Sequence, residues 1–394
     1  MNDRTRLLVV VSLLHLINDA NILLIPTVLP LILREFHLSY TQVGILLSSS
    51  IVLTIFLQSP LGYFSDIKGR RYLLSLGFLI LGLGGILSSL AETFTQLLIA
   101  QLIIGLGGSF YHPLSYALTA ISYESGGRGR SIGIQSSMGD IGVLLTFAVN
   151  GYIAPRLGWR TPLLLFGLVA IGGSILPLLV KEESPVDKNI ASEKMNSQNI
   201  VSLIPILGIQ FFLVAAYRVV YGYTSLILIE KGLELLLANL VIALLTLSGI
   251  VGSIAIGTLV DSYDARALIS MLALIGILVV QILIHSSALL LAIVSVISLG
   301  FVIYGFYPCT YSLLADNVSK NVLGLAYGIM LSIGLVGGIL GTILGGVLGD
   351  LYGLVLVPYL VVLFFIAILY LSLISKNIDI RKSVENSTND LNTL

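Results

Sequence analysis

Apolar residues run through this chain in long continuous blocks, not in alternation. A helix crosses a bilayer in about 20 mostly apolar residues. Blocks of that kind cover 7–33, 41–63, 72–90, 97–121, 131–154, 161–180, 201–229, 234–260, 267–285, 289–314, 322–349 and 355–375, which predicts twelve spans. Short polar connections rich in Gly, Ser, Asp or Lys separate them. Continuous apolarity excludes the alternating strands of an outer-membrane barrel. The first block exceeds a signal-peptide core of about 7–15 residues and no small-residue cleavage site follows it, so a retained helix is expected. The polar interval 181–200 predicts a flexible linker. The expected organisation is a six-helix bundle over 1–180, the linker 181–200, a second six-helix bundle over 201–375 and a polar, disordered tail over 376–394.

Composition narrows the class. Of 394 residues, 57% are apolar and 10% charged, against about 25% charged in a soluble domain. The mean hydropathy is +1.04. This composition argues against a soluble enzyme, a nucleic-acid binder and a disordered chain. Twenty basic and twenty acidic residues cancel, so no bulk field draws the chain to nucleic acid. The single cysteine, Cys309, excludes internal disulfides and a cysteine-built metal cluster. An all-α integral membrane protein is expected, with neither cofactor nor metal. With the N-terminus cytoplasmic, fifteen basic residues fall on inner segments and four on outer ones, which places both termini in the cytoplasm.

The two halves repeat. At a constant offset of 195 residues, Gly62, Asp66 and Arg71 fall on Gly257, Asp261 and Arg266. Gly105, Pro113, Tyr116 and Leu118 fall on Gly300, Pro308, Tyr311 and Leu313, and Gly133, Ser137, Gly139, Gly142, Gly151 and Gly158 on Gly328, Ser332, Gly334, Gly337, Gly346 and Gly353. Six plus six spans in parallel repeat is the architecture of two-bundle secondary transporters.

Three charged residues lie well inside spans: Asp19, Asp140 and Arg218. Each costs roughly 2.5–3.5 kcal/mol at a helix centre on insertion scales. At 1.5 Å per residue, His15, Asp140, His112 and Asp19 lie roughly 12, 13, 15 and 18 Å above the inner edge, close to the midplane. A carboxyl at that depth suits proton loading and release, which makes Asp140 the first coupling candidate, with Asp19, His112 and His15 beside it. Arg218 corresponds through the offset to Leu23, one turn above Asp19, so it is expected to pair with Asp19 or to hold an anionic part of a solute. Span four carries Gln101, Gly105, Ser109, His112, Tyr116 and Thr119 at helical spacing. Span seven carries Gln210, Tyr217, Arg218, Tyr221 and Ser225, and span ten carries Tyr304, Tyr307 and Tyr311. A tyrosine-rich lining with few fixed charges suits an organic, partly apolar solute.

The loop after span two reads Gly62-Tyr63-Phe64-Ser65-Asp66-Ile67-Lys68-Gly69-Arg70-Arg71. It resembles the G-x-L-A-D-r-x-G-R-R/K signature of the major facilitator superfamily, with Ile67 where a basic residue is usual. That resemblance extends over the whole chain. It implies that spans one, four, seven and ten line the central cavity and that Gly62, Asp66, Lys68, Gly69, Arg70 and Arg71 form a cytoplasmic gating loop. His15-x-x-Asn18-Asp19, Leu29-Pro30, Gln58-Ser59-Pro60 and Tyr111-His112-Pro113 are similar to the fosmidomycin-resistance-like branch, which implies drug efflux by proton exchange. Gln101 stands where family members often carry an arginine, and the antiporter pattern of span five is matched at Gly133, Gly142 and Gly151 only.

A membrane enzyme is disfavoured, since H-E-x-x-H and any Cys/His cluster are missing. An ATP-driven pump lacks its G-x-x-x-x-G-K-[ST] loop; Gly105-Leu106-Gly107-Gly108 lies inside a span with no strand before it. Proton-driven uptake of an organic anion and a non-transporting receptor are the alternatives. The expectation is a monomeric, multi-pass protein of the cell membrane whose partners are a small-molecule substrate, protons and lipid.

Overall fold

The computed structural model describes residues 2–123, 127–180, 197–318 and 323–375, with side chains left out at 59, 62–68, 128–129, 197–202 and 323–325. The described residues form helices and short turns, without strands. In chain order the helices are α1 (Asp3–Ile22), α2 (Leu24–Phe36), α3 (Tyr40–Lys68), α4 (Arg70–Ser89), α5 (Phe94–Gly108), α6 (Tyr111–Ser122) and α7 (Arg128–Leu157). They continue as α8 (Arg160–Gly173), α9 (Ser197–Glu230), α10 (Leu235–Val260), α11 (Ala265–His285), α12 (Leu289–Asp316), α13 (Leu323–Tyr352) and α14 (Val357–Ile374). Twelve membrane-length apolar spans result, because α1–α2 and α5–α6 each make one crossing.

Both interrupted crossings have a proline just past the break. Pro26 and Pro113 each occupy the third position of the following helix, where no N–H is available for the turn before. Asn21 Nδ2 instead donates to the Ile17 carbonyl at 2.8 Å, and Thr27 Oγ1 to that of Leu24 at 2.6 Å. Pro308, which the repeat aligns with Pro113, stays inside the unbroken α12.

The surface shows what solvent the fold expects. On α4, Leu76, Leu79, Leu83 and Leu87 form an exposed apolar stripe at helical spacing, while Leu74, Phe78 and Leu81 on the other face are buried. Gln101, Gln135, Asn150, Gln210 and Asn239 are buried instead. Apolar groups outward and polar groups inward is the distribution for a hydrocarbon surrounding.

Contacts divide the described chain into two compact units. One holds 2–180 with Tyr221–Leu247 and Thr342–Val355; the other holds 197–220, Ser248–Gly341 and 356–375. The division passes through α9, α10 and α13. Most of the linker 181–200 and the tail 376–394 lie outside the described residues.

The repeat is visible in the contacts of each unit. A Cβ on Gly142 of α7 would strike the carbonyl of Leu16 on α1. Its counterpart Gly337 on α13 meets the carbonyl of Phe211 on α9, and 16 and 211 differ by the same 195 residues. Backbone lies against backbone at both places, so only glycine fits. Gly142→Val is therefore expected to cost several kcal/mol of overpacking at this crossing. The check is the yield of monodisperse protein in detergent; a yield equal to that of the unmodified chain would contradict it.

Candidate functional site

The α1 face that meets α7 carries the ionisable residues. His15 and Asp19 are one turn apart, and His15 Nε2 lies 3.2 Å from Asp19 Oδ2. His15 Nδ1 lies 2.7 Å from the backbone oxygen of Gln135 on α7. A carbonyl only accepts, so Nδ1 is the donor there. Asn18 Nδ2 donates to Asp19 Oδ1 at 2.8 Å. His112, in the first turn of α6, meets the His15 ring edge-on at 5.3 Å. The Tyr116 ring, one turn further, stacks on His112 at 5.9 Å, and its hydroxyl is 3.1 Å from Ser136 Oγ.

Gln135 holds this corner together. Its Nε2 donates to Tyr111 Oη and Ser115 Oγ, both at 3.0 Å, and its Oε1 accepts from Thr119 Oγ1 at 2.6 Å. Tyr111 Oη donates onward to the Val11 carbonyl at 2.8 Å. The buried amide thus has both of its ends satisfied, as a low-dielectric interior demands.

The structure therefore brings His15, Asp19 and His112 together, with their ligand atoms within 4.8 Å of one another. Asp140 is half-buried on α7, next to Gly139, which packs against His15 and Asp19. Gln101 is buried and donates to Ser88 Oγ at 3.0 Å. Tyr221 is fully buried, with its hydroxyl 2.7 Å from Thr246 Oγ1 and its ring 5.8 Å from Phe147.

The other expected tyrosines lie in the second unit and form a row. Ring centroids are 6.2 Å apart for Tyr217–Tyr304, 6.1 Å for Tyr304–Tyr307, 6.1 Å for Tyr307–Tyr311 and 5.6 Å for Tyr311–Tyr327. Arg218 is buried within electrostatic reach of Tyr217 and Tyr307. Asp19 belongs to the first unit, where its carboxylate meets His15 and Asn18.

Of the expected gating loop, Gly69 takes φ +85° at the α3–α4 corner, and Arg70 is buried. Arg71 donates to Tyr72 Oη at 2.7 Å and lies over that ring. Gly62, Asp66 and Lys68 fall outside the described side chains.

Sequence reasoning missed Gln135 and Tyr327. Gln135 was legible: with Gly139, Gly142, Thr146 and Asn150 it forms a small-and-polar stripe on α7 that faces inward along its length. Tyr327 lies beyond Pro308 on a different span, and only the fold brings it to Tyr311, whose carbonyl accepts from its hydroxyl at 3.2 Å.

Comparisons with known proteins agree with this architecture. A family model for the Major Facilitator Superfamily matches residues 11–341. The chain is 27% identical over 154 residues to YfnC, an uncharacterized MFS-type transporter of Bacillus subtilis (strain 168), covering 39% of this chain and 37% of that protein. It is 33% identical over 118 residues to the fosmidomycin resistance protein of Escherichia coli (strain K12), covering 30% and 29% respectively. To multidrug resistance protein 1 of Bacillus subtilis (strain 168) it is 25% identical over 198 residues, covering 50% of each. The matched stretches thus span half or less of these relatives. Among solved structures, a bacterial homologue of the human lysosomal transporter Spinster, in an inward-facing and occupied conformation, superposes with a TM-score of 0.87. The identity is 17%, with 97% of this chain and 98% of that one covered. The nucleoside transporter NupG gives 0.79 at 13% identity, covering 96% and 100%. At these identities the structural likeness shows the fold.

Proposed function

Because the chain belongs to the Major Facilitator Superfamily, and is therefore a secondary transporter and not an enzyme, we propose that it exports a small, partly apolar organic anion in exchange for protons. The observation that carries this reading is the tyrosine row 217–304–307–311 beside buried Arg218. Tyrosine faces accept apolar rings and chains, and their hydroxyls accept varied polar groups, so the row suits an organic solute better than a bare ion. A guanidinium amid those rings suits a carboxylate or phosphonate end, which it can grip with two parallel hydrogen bonds.

Export is supported by the names of two relatives, a fosmidomycin resistance protein and a multidrug resistance protein. Asp140 is the carboxyl we assign to proton exchange. The two bundles, 1–180 and 201–375, would rock about their solute, with both termini on the cytoplasmic side of the cell membrane and the monomer as the working unit.

Counterflow of labelled compounds in proteoliposomes tests the reading. Uptake of an organic anion against unlabelled solute inside is expected, and no counterflow across a broad anion library would overturn it. Arg218→Gln removes charge-assisted hydrogen bonds and keeps a polar side chain. It is expected to raise KM for anionic solutes by roughly 10–100-fold, at about 1.5–3 kcal/mol for hydrogen bonds to a charged group. An unchanged KM for the anion would remove Arg218 from the solute site.

A further inference from the structure

The corner formed by His15, Asp19 and His112 has a second chemistry that organic-solute transport does not use. His15 donates through Nδ1 to the Gln135 carbonyl at 2.7 Å, and this aims Nε2 at Asp19 Oδ2. Asp19 Oδ1, the oxygen on the other side, accepts from Asn18 at 2.8 Å. An imidazole pinned by its far nitrogen and a carboxylate pinned by its far oxygen are oriented in the way outer-shell hydrogen bonds orient metal ligands.

The spacing fits as well. Nε2 and Oδ2 are 3.2 Å apart, and two ligands bound tetrahedrally at about 2.0–2.1 Å from zinc are separated by roughly 3.3 Å. A third donor is at hand in His112, since the three ligand atoms lie within 4.8 Å of one another. Gly139 keeps the approach clear. A Cβ there would sit 2.7 Å from both Asp19 Oδ2 and His15 Nε2, in the wedge between the two ligand atoms.

We propose that His15, Asp19 and His112 bind one divalent transition-metal ion of the zinc type. Two imidazoles and one carboxylate favour Zn²⁺, Co²⁺ or Ni²⁺ over Mg²⁺ and Ca²⁺, which prefer all-oxygen shells. Among the described residues the site occurs once. The repeat puts Gln210, Val214 and Tyr307 where the first half has His15, Asp19 and His112, and Gly334 packs on Gln210 and Val214 as Gly139 packs on His15 and Asp19. Binding requires no solute and no proton gradient, so it stands or falls apart from the export reading.

The experiment is a Co²⁺ titration of the purified, tag-free full chain in detergent, read by visible absorption. One equivalent is expected to produce a d–d band that one equivalent of Zn²⁺ removes and excess Mg²⁺ does not. His15→Ala and His112→Ala should each weaken binding at least tenfold, and Asn18→Ala, which frees Asp19 Oδ1, by about 10–100-fold. The remaining histidines, His37 and His285, are exposed, and their double replacement by Ala should change nothing. Absence of the band at one equivalent, its persistence in His112→Ala, or its loss in the His37/His285 variant would each overturn the proposal. Should His15→Ala fail to elute as folded protein, half-buried His112 decides the question through its own variant.

Discussion

Asp140→Asn is expected to abolish solute accumulation driven by an imposed pH gradient while leaving solute exchange running. Asparagine keeps the shape and hydrogen-bonding capacity of the side chain and removes its proton chemistry. Asp140 lies on α7, which packs against α1 and α6, and it is within electrostatic reach of His15 from α1 and Tyr116 from α6. Arg34, Glu35 and Arg160 of the adjoining α2 and α8 lie at the ends of their helices, where Arg160 and Glu35 pair at 2.7 Å. The measurement compares gradient-driven accumulation with gradient-free exchange in the same proteoliposomes. A fall of at least tenfold in the first, with the second kept, is the expected result. Accumulation at the unmodified level would take Asp140 out of the coupling step.

Asp350→Ala is expected to loosen the joint between α3 and α13. Asp350, near the end of α13, accepts from Tyr40 N at 2.6 Å, Thr41 N at 2.9 Å and Thr41 Oγ1 at 2.5 Å. Tyr40 N and Thr41 N are first-turn donors of α3 that have no partner within their own helix. Ser39 and Gln42 already form a capping box there, so Asp350 adds an anion from another span to a positive helix end. Deeper in the same unit, Ser48 Oγ meets Thr342 Oγ1 at 2.7 Å and Tyr223 Oη donates to the Thr342 carbonyl at 2.6 Å. Asp350 is exposed, which discounts its charge, and a lost cap is worth about 1–2 kcal/mol. That shifts a two-state population roughly 5–30-fold. A reporter cysteine at buried Ser48 reads the opening, since Cys309 is the one native cysteine and is buried. Ser48→Cys should react several times faster with a thiol reagent when Asp350 is Ala; equal rates would show that Asp350 does not hold this end shut.

Much of the candidate corner was legible because helical phase and depth are one-dimensional quantities. His15 and Asp19 are four residues apart, and counting 1.5 Å per residue puts His112 at their level. Pro26 and Pro113 announced breaks that a continuous hydropathy reading passed over, since apolarity does not register a missing N–H. Gln101, Tyr116 and Tyr221 illustrate the limit. Each has the right residue type in a lining stripe, yet Gln101 turns to Ser88, Tyr116 to His112 and Ser136, and Tyr221 to Thr246 and Phe147. Which neighbour satisfies a buried polar group depends on the helix across from it, and a stripe carries no information about that helix.

The sequence by itself determined that the chain lives in a bilayer, that it crosses twelve times and that its halves are copies at an offset of 195 residues. These follow from composition and period, which every residue helps to set, so no single position can obscure them. Tertiary structure alone decided that Gln135 orients His15, that Gly139 lies in the wedge between His15 and Asp19, and that Asp350 caps α3 from 310 residues away. Each is one contact between segments far apart in the chain, created by close helix crossing, and short-range pattern holds no trace of a partner brought near only when the backbones meet.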